Sequence, residues 1–164
     1  MSSVRLTPSL FLRIAAVITA LYFAGHTAGI PWTPATGPTE APVLEAMKSQ
    51  SFEAEGFTRT YWDFYSGFGV IISAFLLTQA IVLWQLAALA RINPLQVRPV
   101  AATFLVAFLV NAALAWKYFF AVPVALAVLI SLSLLAALAL AGRAKDAPPG
   151  PPDGGSRAAR SDRA

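Results

Sequence analysis

The residues best suited to chemistry fall in two short stretches. His26, the single histidine, stands in Gly25-His26-Thr27-Ala28-Gly29. Asp63 stands in Arg59-Thr60-Tyr61-Trp62-Asp63-Phe64-Tyr65-Ser66-Gly67-Phe68-Gly69, a carboxylate set among aromatic rings. Imidazole is the usual proton-transfer group near neutral pH, and a carboxylate facing it would fix its tautomer and raise its basicity. His26 and Asp63 are therefore the candidate acid–base pair. Arg59, Tyr61, Trp62 and Tyr65 are candidates to bind a ligand beside it, and Asn111 carries an amide that seeks a partner across a helix interface or on a ligand. A purely structural reading competes with this one. In it His26 hydrogen-bonds between helices, Asp63 caps the helix it opens, and Trp62 and Tyr65 anchor that helix in the headgroups.

Other chemistries lack their residues. The chain has no cysteine, which removes disulfides, thiol nucleophiles and thiolate-bound metals, and one histidine without cysteine makes a poor metal set, so no metal site is expected. The glycines of Gly67-Phe68-Gly69 lack the further glycine and lysine of a phosphate loop. With Gly25 and Gly29, whose spacing is small-xxx-small, they are expected to let helices approach closely. No cofactor follows from the residues present.

The elements that must position these groups are membrane spans. Of 164 residues 57% are hydrophobic and 12% charged, whereas ordinary soluble domains have about 45–50% apolar and about 25% charged residues. A bilayer core of roughly 30 Å takes about twenty helical residues to cross. Apolar runs of that order occur at about 10–30, 64–90, 100–116 and 122–141. Thr7-Pro8 opens the first, and Arg13 snorkels from it to the near headgroups. The loop 31–63 begins irregularly, with Pro31, Pro34, Pro38 and Pro42, and then spaces Val43, Leu44 and Met47 on one face of a short amphipathic helix between Glu40 and Gln50. Residues 52–57 lead back to the bilayer. Beyond residue 142 a tail rich in proline, glycine and charge is expected to be disordered. The fold class is thus an all-α membrane protein: a four-helix transmembrane domain over 1–142, a long outer loop after the first span, and a disordered cytoplasmic tail over 143–164.

Lysine and arginine set the expected orientation. Arg5, Arg13, Arg91, Arg98 and the tail arginines lie on one side, and Lys48, Arg59 and Lys117 on the other, which puts both termini in the cytoplasm. In this setting the net charge of +4 signals topology and anionic lipid, and nucleic acid is not an expected partner. His26 lies roughly 24 Å along the first span from Leu10, near the outer boundary, where Asp63 opens the second span. Thr78, Gln79 and Gln85 are the deeper polar groups of that span, and no buried charge links the layers as a proton relay or pump would require.

On Gly25-His26-Thr27-Ala28-Gly29 and on Arg59 to Gly69, the chain resembles a family of uncharacterised small bacterial four-helix membrane proteins. Members carry a G-H-T-x-G element closing the first helix and an R-x-Y-W-D-F-Y-x-G-F-G element opening the second. The likeness spans about residues 10–140 and implies a multi-pass protein of the bacterial inner membrane, with no reaction attached. The expected function is a non-enzymatic module that binds an apolar, lipid-like small molecule or a partner subunit at the outer interface. The alternative is a small membrane enzyme using His26 and Asp63 on an apolar substrate.

Overall fold

A computed structural model describes residues 6–29, 35 and 37–143. Arg5, Pro31, Pro34 and the tail from 144 onward lie outside the described residues. Four helices are long and apolar enough to cross a membrane: α1 (Pro8–Gly29), α3 (Tyr61–Leu89), α4 (Arg98–Tyr118) and α5 (Ala121–Arg143). Between α1 and α3 come a short helix, α2 (Glu40–Ser49), and an antiparallel pair, β1 (Ser51–Ala54) and β2 (Phe57–Thr60). The fold is that of an all-helical, four-span membrane protein.

Local chemistry explains where the helices begin. The Thr7 side chain accepts from the Leu10 amide at 3.2 Å, and Pro8 occupies the first turn, where its missing N–H costs nothing. Thr60 caps α3 in a capping box. Its hydroxyl accepts from the Asp63 amide at 3.0 Å, while the Asp63 carboxylate accepts from the Thr60 amide at 2.8 Å. Asn93 turns the chain between α3 and α4, its side-chain oxygen accepting from the amides of Leu95 and Gln96.

α1 packs on both α3 and α5, and α4 packs on α5, so the spatial order is α3, α1, α5, α4. α3 and α4, although consecutive, lie on opposite flanks. The buried residues of α3 are Gly69, Ser73, Leu76, Ala80, Leu83, Leu86, Ala87 and, just past its end, Ala90. Leu86 apart, they advance by alternate steps of four and three. α5 repeats the pattern with Pro123, Ala127, Ile130, Leu134, Ala137 and Ala141. Steps averaging 3.5 residues keep one seam facing a neighbour along the helix. Small residues alternate with leucine and isoleucine along these seams because, within lipid, tight van der Waals approach replaces the hydrophobic drive between helices.

The glycine expectation needs correction. A Cβ placed on Gly25, Gly29 or Gly67 would meet open space, so these positions do not bring helices together. Gly69, by contrast, is buried on the α3 seam, where small side chains, mostly alanine, make the rest of the close approach. Four span hydroxyls are satisfied inside their own helices: Thr19 donates to Ala15 O, Thr78 to Ala74 O, Ser131 to Ala127 O and Ser133 to Leu129 O, at 2.8–2.9 Å. Such back-bonding is the ordinary use of Ser and Thr in a span. It leaves Thr78 unavailable as the start of a polar path.

Candidate functional site

The end of the bundle that carries α2 and the β-pair, here the hairpin end, gathers most of the candidate residues. Glu55 and Gly56 both adopt positive φ, 53° and 81°, which is the conformation of a two-residue type I′ hairpin turn. Ser51 then pairs with Thr60 and Phe52 with Arg59. Two strands alone are marginal in water, and aromatic contacts supply what is missing. The Phe52 ring lies 5.1 Å from Tyr61 and 5.2 Å from Phe64, and Phe64 lies 5.5 Å from Phe68. Each such pair contributes about 0.5–1.5 kcal/mol beyond its buried area. The ladder therefore fastens the hairpin to the first turns of α3.

α2 is fastened to the same place through the backbone. An amide at the start of a helix has no acceptor within that helix, and the Tyr61 amide donates at 3.3 Å to the Gln50 carbonyl just past the end of α2. α2 in turn packs on α3 and β2. Between them lies a shallow apolar groove, open to the surface and lined by Pro42, Val43, Ala46, Met47, Gln50 and Tyr61, of which only Met47 is partly buried. Its lining residues on α2 recur at the spacing of one helix face. No charged side chain lines it. Lys48 points elsewhere, with its ammonium 5.1 Å from the Trp62 ring centre.

The structure separates the candidate acid–base pair. His26 Nδ1 lies 3.1 Å from Ser73 Oγ, and the Thr27 hydroxyl donates to that same Ser73 oxygen at 2.9 Å. Ser73 Oγ has two lone pairs and one proton, so it accepts from Thr27 and pairs with Nδ1 in either tautomer of the imidazole. Asp63 instead binds Thr60, and ten residues of α3, about 15 Å of helix, stand between Asp63 and the partner of His26. The expectation that Asp63 orients His26 fails for a geometric reason. α3 has 29 residues and α1 has 22, about 43 Å against 33 Å, so α3 reaches beyond the end of α1 and carries Asp63 with it.

Of the other candidates, Tyr61 lines the cavity and stacks on Phe52. Trp62 lies beside Tyr65, ring centres 5.6 Å apart. Arg59 is exposed, donates to the Thr58 carbonyl at 2.8 Å and covers the Phe57 ring. Asn111 is exposed on α4, a helix that packs on α5 and not on the hairpin end. It is not part of this site. No family model, curated protein or solved structure matches the chain.

Four contributors were not among the candidates: Ser73, Phe52, Ala46 and Gln50. Ser73 gave no signal beyond being a lone hydroxyl in an apolar run. Phe52 was partly readable, because Ser51-Phe52-Glu53-Ala54 alternates polar and apolar residues and runs into Glu55-Gly56, where the glycine permits a tight turn. Ala46 and Gln50 continue the face that begins at Val43, and the helical period alone would have placed them.

The Ser73–His26 contact lacks what a nucleophile and base require. No third group orients the imidazole among the described residues. Ser73 lies inside a continuous helix whose amides are used in helical hydrogen bonds, so none is free to stabilise an oxyanion. The contact belongs to the seam between α1 and α3, which a second polar contact pins at its far end, where Ser9 Oγ donates to Ala87 O at 2.6 Å.

Proposed function

We propose that this protein is a non-enzymatic membrane module that holds an apolar, lipid-like small molecule in the cavity between α2 and the start of α3. The observation that carries this reading is the cavity itself. It is an open groove at the surface, and its walls are aliphatic and aromatic with Gln50 and Tyr61 as the polar groups, the mainly apolar lining that small-ligand sites share. The acid–base alternative loses its support once Asp63 is committed to capping. Untargeted mass spectrometry of extracts from the purified protein should recover one apolar compound in near-constant ratio to protein. Purified protein that is consistently empty would overturn the proposal.

We place the protein in the bacterial inner membrane with both termini cytoplasmic, within the four-helix family that its two sequence elements resemble. The distribution of charge supports this orientation. Arg13, Arg91, Arg98 and Arg143 lie at one end of the bundle, and Lys48, Arg59 and Lys117 at the other, as the positive-inside rule requires. A reporter that works only in the cytoplasm, inserted after Gly37, is expected to be silent, and activity there would invert the map.

A further inference from the structure

The end of the bundle opposite the hairpin has a second cavity, of about 510 Å³, lined by Thr7, Pro8, Ser9, Leu10, Arg13, Ala90, Arg91 and Pro94. Its chemistry differs from that of the first. Two arginines, Arg13 and Arg91, line one concave site, and each remains charged at any physiological pH. Arg13 is half-buried on α1, with its guanidinium 5.4 Å from the Trp84 ring centre. That contact holds the charge toward the end of the bundle instead of leaving it to range along the span.

Nothing among the described residues neutralises this pair. Every described carboxylate, from Glu40, Glu45, Glu53 and Glu55 to Asp63, lies on α2, the hairpin or the first turn of α3. Two positive charges lining one site attract an anion between them. Of the other polar groups of the wall, Ser9 Oγ donates to Ala87 O, while Thr7 Oγ1 accepts from the Leu10 amide and keeps its proton to donate. The apolar wall of Pro8, Leu10, Ala90 and Pro94 suits the glycerol and upper chain of a lipid, while guanidinium forks suit a phosphate.

We infer that this cavity binds a phosphate-bearing anion, the headgroup phosphate of an anionic phospholipid, between Arg13 and Arg91. This site is independent of the apolar cavity at the hairpin end. The test is native mass spectrometry of the full chain in mild detergent with phosphatidylglycerol, phosphatidylcholine or inorganic phosphate. Phosphatidylglycerol is expected to bind in preference to phosphatidylcholine. The double variant Arg13→Gln/Arg91→Gln is expected to lose roughly tenfold in affinity, as the removal of charge-assisted hydrogen bonds implies. Arg98→Gln/Arg143→Gln, at the same end but outside the cavity, is the control and should bind as the wild type does. Arg91 lies in the turn after α3, so Arg91→Gln alone tests the site with the helices intact and should shift affinity in the same direction. Displacement of the lipid by millimolar inorganic phosphate would support the phosphate site and assign its source to soluble phosphate. Equal losses in both double variants, or unchanged binding in Arg13→Gln/Arg91→Gln and Arg91→Gln, would overturn it.

Discussion

Ala127→Leu is expected to destabilise the bundle by about 1–3 kcal/mol, measured by denaturant titration in detergent micelles. Ala127 is 0% exposed and lies on the seam of α5, the helix that packs against both α1 and α4. A longer side chain there must push a neighbouring helix away or adopt a strained rotamer. In a soluble protein the opposite change, large to small in the core, usually costs more. Within a bilayer the separated helices still face hydrocarbon, so much of the transfer term vanishes and close fit becomes the main stabilising factor. Ala125→Leu, at an exposed position of the same helix, should be tolerated. Equal losses for the two variants would show that the seam does not hold α5.

The second large effect concerns His26. Ser73→Ala removes the hydroxyl that serves both His26 and Thr27, and interhelical hydrogen bonds in membranes average about 0.6 kcal/mol with a maximum near 1.7. Because two bonds end on Ser73, a loss of about 1–2 kcal/mol is expected from that principle. In a double-mutant cycle, His26→Ala and Ser73→Ala should be strongly non-additive, since either change alone breaks the shared contact. His26→Ala and Asp63→Asn should add simply. Coupling between His26 and Asp63 would restore the acid–base pair that the geometry separates.

The sequence made some features legible and hid others for identifiable reasons. Apolar runs separated by polar turns fixed the spans, and Thr7-Pro8 and the Thr60–Asp63 spacing marked two helix starts. The seams were hidden because a span is apolar on every face, so hydrophobic periodicity carries no information. Residue size carries it instead, as in the recurrence of small residues at Gly69, Ser73, Ala80 and Ala87. Glycine is the more familiar sign of close packing and drew attention to Gly25 and Gly67, whose surroundings are open.

The candidate site was half legible for a related reason. Counting helical rise from Leu10 put His26 and Asp63 in one layer, but such a count cannot show that α3 overshoots α1. The long loop was correctly read as containing a short amphipathic helix, realised as Glu40–Ser49. Its return to α3 was read as plain connection because the hairpin strands are only four residues each. That hairpin sets Phe52 against Tyr61, the aromatic wall of the groove.

The most direct test of the central claim compares extracts of the wild type and Ala46→Phe by untargeted mass spectrometry. The substitution places a ring in the cavity from the exposed face of α2, away from the transmembrane seams. If the cavity is the binding site, one apolar compound leaves with the wild type and is depleted in Ala46→Phe, while both proteins unfold at the same denaturant concentration. The same compound in the same amount from both proteins, or from neither, would contradict the account.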